Sequence, residues 1–172
     1  MLPVIPSWRT TIARTDWPHV ALWDGTTPDL RGIWQVRDAV DLNVEGQNGG
    51  KGVAATKSFV VEPADGRIPY RADVLARRDA NRQQRETADP AAKCLQAGVP
   101  RATYRPAPLQ ILQSPGQVAV VYQDNHAYRV FYPNSRPHFT GVDWWMGDSR
   151  SHWDGNTLVV DVTNSNGLAW FD

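Results

Sequence analysis

Between residues 109 and 163 the chain is broken every few residues by a turn signal, and the runs between the breaks are rich in β-branched and aromatic side chains. Residues 109–113 and 117–122 flank a Ser-Pro-Gly turn, and residues 127–132 follow Asp124-Asn125-His126. Asn134-Ser135-Arg136-Pro137 turns again, and residues 149–153 and 157–163 flank Asp154-Gly155-Asn156. Runs this short are too brief for stable helices, and tight glycine turns join strands that lie side by side and antiparallel. The expected fold is therefore mainly β, an antiparallel barrel or sandwich.

Upstream the pattern is less regular. Residues 30–37 alternate, with Leu30, Gly32, Trp34 and Val36 on one face, and predict a first strand. Residues 57–62, KSFVVE, predict another, closed by Pro63 and an Asp65-Gly66 turn. One surface helix is expected near 71–86: its apolar residues are mainly Ala72, Leu75, Ala76 and Ala80. The pairs Asp73–Arg77 and Arg82–Glu86, four apart, would support it from the solvent side. Prolines 100, 106 and 108 predict an extended surface crossing over most of 89–108. Residues 1–29 lack either periodicity and carry Trp8, Trp17 and Trp23, so they read as an arm laid over a single β-rich domain spanning 30–172.

Composition narrows the function classes. Lys plus Arg and Asp plus Glu are 18 each, so no net field favours nucleic acid or an anionic membrane. No apolar run approaches the roughly 20 residues of a membrane span. Residues 1–8 lack the features of a signal peptide, which makes the cytoplasm the default compartment. Cys94 stands alone, which excludes an internal disulfide. The glycine-rich stretch 46–52 lacks both phosphate-loop and dinucleotide spacing, so no nucleotide cofactor is expected. His126, His138 and His152 sit at no known zinc spacing, and no metal is expected either. Ser149 has no Gly-x-Ser-x-Gly context, and a turn serine is the expected role. Nearly all basic residues are arginines; Arg101 and Arg129 are suited to holding planar anionic or aromatic groups.

Several segments taken together carry a resemblance. They are Gly32-x-Trp34, DGRIPY at 65–70, Cys94 to Arg101 with its GVPR, His126-x-x-Arg129, WMGDS at 145–149 and WDGNTLVVD at 153–161. In this combination the chain resembles a family of bacterial β-rich proteins, many of them exported, over roughly residues 30–172. The Gly-x-Trp opening is also similar to that of lipocalin-like barrels, in which the tryptophan plugs one end. The resemblance implies architecture and candidate positions, not a reaction, and it leans towards export. Members usually continue past the Trp-Phe-Asp at 170–172 with further strands. If those strands are lacking, an open sheet edge is left, and a homodimer is the expected partner state.

The chemistry concentrates in the last hairpin. With a type I′ turn at Asp154-Gly155, His152 pairs with Thr157 and Asp148 with Asp161, so Asp148, Arg150, His152, Thr157 and Asp161 share one face. With a type I turn and Gly155 as a bulge, Asp161 moves to the other face. Both registers fit the sequence. His126, Arg129, Asp148, His152 and Asp161 are the candidate catalytic residues. Trp34, Arg101, Tyr122, Tyr128, His138, Trp144 and Trp145 are candidates for lining a substrate site. Buried in a strand, Arg129 would need an acceptor, from Asp124, Asp148 or a ligand's carboxylate or phenolate. Such a set suits cofactor-free proton transfer of lyase, dehydratase or isomerase type on a small, largely apolar or aromatic molecule, with histidine as base and arginine holding negative charge. A binding protein for such a ligand and a tryptophan-rich assembly protein are the other two readings.

Overall fold

The computed structural model describes residues 24–36, 43–46 and 55–171. One sheet of six strands runs in chain order: β1 Gly32–Trp34, β2 Leu109–Ser114, β3 Gln117–Tyr122, β4 Tyr128–Pro133, β5 Asp148–Asp154 and β6 Thr157–Thr163. The spans expected for β3 and β6 coincide with those found. In β3 the alternation is read out directly: Val118, Val120 and Tyr122 are buried, and the residues between them are not.

The β-rich expectation holds, but two finer expectations do not. Among the described residues the sheet is open, with β1 and β6 as its edges, so the strands do not close a barrel. The sheet is also not wholly antiparallel, because β4 and β5 pair in parallel, Phe131 beside Ser149 and Tyr132 beside Arg150. The connection from Asn134 to Gly147 is long enough to carry the chain back to its starting direction, which a tight turn cannot do.

Upstream, the first strand shrinks to three residues, and 57–62 belongs to no strand. There Ser58 Oγ accepts from Val60 N–H and donates to Gly66 O, so local side-chain bonds take the place of a ladder. The expected helix is present as α1 Ala72–Gln83 and α2 Arg85–Ala88, broken at Gln84, with no buried residue in either. Asp73 pairs with Arg71 rather than Arg77, and Arg78 ties the helix to Glu45 at 2.8 Å.

The expected surface crossing at 89–108 is a correction of larger consequence. Asp89, Ala97, Arg101 and Ala102 are buried, and tight 3-10 turns at Ala91–Lys93 and Arg101–Thr103 fold the segment inwards. Ala97 and Ala102 join Leu30, Ile111, Val118, Val120, Tyr122, Phe131, Met146, Leu158 and Val160 in one apolar cluster on the inner face of the sheet. Trp8, Trp17 and Trp23 of the arm, and most of the glycine-rich loop, lie outside the described residues. Among those described, no helix is long and apolar enough to cross a membrane.

Candidate functional site

The last hairpin adopts neither expected register. Asp154 pairs with Thr157, so the two-residue turn is Gly155-Asn156, and Arg150 stands opposite Asp161. Gly155 has φ +57°, and it takes the first central position of the turn. A type I′ turn at 154–155 would have put positive φ on Asp154 as well as Gly155, whereas here glycine alone of residues 154–156 carries it. The shift from the first expected register is two residues, so side-chain parity survives. Asp148, Arg150 and His152 still share a face with Thr157 and Asp161, while Trp153, Leu158 and Val160 meet the apolar cluster on the other.

That polar face is crossed by the β4–β5 connection, which is held down at several points. Arg150 Nε donates to the carbonyls of Arg136 and Pro137, and its Nη2 donates to Pro137 O at 2.9 Å. Its guanidinium lies 5.2 Å from the ring centres of both Tyr132 and Phe139. Farther along, Asn164 Nδ2 donates to the carbonyls of Phe139 and Val142. A single β-bridge joins Trp144 to Ser165.

The strap so fixed carries His138 between two carboxylates. Nδ1 lies 2.9 Å from Asp148 Oδ2 and Nε2 lies 3.0 Å from Asp161 Oδ2. The two acids differ in environment. The Asp148 side chain is 4% exposed, bonded to Arg150 Nη1 at 2.7 Å, and it accepts from Phe139 N–H. The Asp161 side chain is 46% exposed. A doubly protonated imidazole donates to both acids, and a neutral one can donate to only one. The ring is therefore held in orientation from the buried side and left approachable from the Asp161 side. Beside it, Phe139 and Trp144 form an edge-to-face pair with ring centres 5.7 Å apart, both substantially exposed.

Gly147 sets the entry to β5. It has φ +64°, and a Cβ there would stand 2.7 Å from both Thr163 O and Val162 Cγ1. Only glycine lets β6 approach closely enough to place Asp148 under the strap.

The remaining sequence candidates scatter. His126 ends a 3-10 turn, Asp124–His126, with φ +51° and an exposed side chain; it does not open a strand. His152 shares the polar face but is exposed. Arg129 is buried on the inner face, its guanidinium 4.8 Å from the Phe131 ring centre. Tyr122 is in the core, Tyr128 is exposed, and Trp145 is half-buried. Trp34 is half-buried too, and its indole N–H donates to Leu30 O. Arg101 is 0% exposed and grips Asp89 through two bonds of 2.7 and 2.8 Å. Burial pushes the Asp89 carboxyl up, but the Arg101 hydrogen bonds, the Ala91 N–H and the charges of Arg101 and Arg105 outweigh it and hold it below the usual range. Asp89 had no signal in the sequence beyond Asp-Pro, which marks a turn rather than a buried acid.

Among the described residues no group of three or more His, Cys, Asp or Glu side chains is arranged to hold a metal ion. No family model, no curated protein and no solved structure matches this chain.

Proposed function

We propose that the chain is a small-molecule enzyme of the cofactor-free proton-transfer type, of lyase, dehydratase or isomerase class, with His138 as its acid–base group. The observation that carries this reading is the placement of one imidazole between a buried and a half-exposed carboxylate. Asp148, neutralised by Arg150, keeps a proton on Nδ1 and sets the ring plane. Nε2 is then the working nitrogen: a substrate that displaces Asp161 meets either a donor or a lone pair there. The Phe139–Trp144 pair offers an apolar ledge for an aromatic or aliphatic body at the same place. In this reading His126 and His152 are not part of the reacting centre, and a lipocalin-like enclosure would require closure beyond the six strands.

The test uses a panel of small aryl ketones and 3-hydroxy acids in deuterated water, with deuterium entry at carbon followed by NMR. His138→Gln and Asp148→Asn should each slow exchange by about 10²–10⁴-fold with the circular dichroism unchanged. Exchange that persists in His138→Gln ends the proposal. Binding of the same probes by the wild type without any exchange transfers the site to the ligand-binding reading.

Homodimerisation is a second proposal, and one observation favours it: Ile33, on edge strand β1, is 80% exposed. Pairing through an open edge would cover it. A monomer in light scattering at micromolar concentration refutes this part.

A further inference from the structure

The inner face of the sheet holds a charge that the chain leaves unbalanced among its described residues. Three arginines of the described residues are buried almost completely, Arg101, Arg129 and Arg150, and of these Arg129 is the one whose strand partners put it on the inner face. Two have a carboxylate at 2.7 Å, Asp89 for Arg101 and Asp148 for Arg150. Arg129, only 5% exposed, has none among the described residues. The two acids that the sequence offered it are engaged elsewhere. Asp124 pairs with Arg105 at 3.0 Å, and Asp148 is shared between Arg150 and His138. An arginine cannot shed its proton to escape this position, as a buried lysine would.

The geometry of its donors is specific. Arg129 Nη2 donates to Ser149 Oγ at 3.0 Å, and Nε is buried with no hydrogen-bond partner among the described residues. Nε and Nη2 form the side-on edge of a guanidinium, the edge that grips a carboxylate with two parallel bonds. Ser149, 3% exposed, accepts from Nη2 and so keeps its own hydroxyl proton to donate. The surroundings are apolar: Arg129 stands opposite Val120 in the β3–β4 pairing, and Val118 stands opposite Phe131.

We propose that Arg129 and Ser149 form a carboxylate-binding subsite on the inner face, taking a small organic acid with an apolar body. Nε, Nη2 and the Ser149 hydroxyl supply three donors to the two carboxylate oxygens. Val118, Val120 and the Phe131 ring border the remainder of the ligand. The subsite goes beyond the reading of His138, because Asp148 and Ser149 are successive residues of β5 and point to opposite faces.

Benzoate and hexanoate serve as probes, with chloride and phosphate as controls, in thermal-shift and calorimetric titrations of the full chain. At about 10 mM, tenfold above a 1 mM Kd, each carboxylate should raise the wild-type melting temperature, and phosphate should not. Arg129→Met should abolish the shift and, without ligand, melt no lower than wild type, because it removes an unbalanced buried charge. Should that variant fail to fold, Ser149→Ala carries the test, with affinity expected to fall about five- to tenfold for one lost hydrogen bond. His138→Gln should bind the probes as wild type does, so failure of one proposal leaves the other standing. The subsite is overturned if neither carboxylate shifts the wild type, as expected of an arginine already neutralised from within the chain. An equal shift in wild type and in Arg129→Met or Ser149→Ala overturns it as well.

Discussion

Two of the buried charge pairs among the described residues invite comparison, Asp89–Arg101 just past the helical segment and Asp148–Arg150 under the strap over β5 and β6. In the first, Asp89 and Arg101 face each other with two short bonds, and Arg101 has no exposed surface. The second begins the same way, with Asp148 and Arg150 both buried, and then adds His138 and the half-exposed Asp161. The first cluster is closed: its charge is balanced and water cannot reach the guanidinium. The second has the same closed base and an open end, where a proton can be exchanged or a ligand can replace an acid. A buried ion pair by itself is weak evidence of function. The same pair holding a titratable ring at the edge of solvent is the arrangement that acid–base chemistry needs.

The largest expected effect bears on the closed cluster. Arg101→Met strands a buried carboxylate and should cost about 3–5 kcal/mol in urea-melt stability, with no specific effect on probe exchange. Because the Asp89 carboxyl is held below its ordinary value in the folded state, its contribution is full at neutral pH. It is withdrawn as pH falls below about 4 and through the folded value. Wild type should therefore lose stability in that acid window, and Arg101→Met should show a flatter acid limb; equal limbs would mean the bridge is not the source. Next, Gly147→Ala should cost about 1–3 kcal/mol, since it strains a positive φ and drives a Cβ into the Thr163 carbonyl. It should also slow probe exchange by moving Asp148. The smallest effect is expected at the open end. Asp161→Asn breaks a half-exposed pair and should change stability by about 0–1 kcal/mol, yet still alter the exchange rate. A loss at Asp161 as large as that at Arg101 would erase the distinction between the clusters.

Part of this was legible without coordinates. The spans of β3 and β6 follow from alternation bounded by glycine turns, and Asp148, Arg150 and His152 share a face as their parity within β5 requires, whereas Asp161 joins them only through the register of the hairpin. The register itself was not legible, because the choice among turns at 154–156 rests on which residue takes positive φ. The role of His138 was not legible either, as its two acids lie 10 and 23 residues away. The Asp89–Arg101 bond spans 12 residues across prolines that read as an exposed crossing. His126, a catalytic candidate by its residue type, sits in an exposed turn away from the polar face of the last hairpin.

Between residues 109 and 163, though not upstream at 57–62, the sequence alone determined where strands form and which residues of one strand look the same way, because both depend on a period of two and on local turn chemistry. The tertiary structure decided that β4 and β5 run parallel, that the strap lays His138 across Asp148 and Asp161, and that Arg129 is buried without a counter-charge among the described residues. Those facts depend on which distant segments meet, and the energy of bringing one charge to another is a property of the pair that neither residue's local sequence carries.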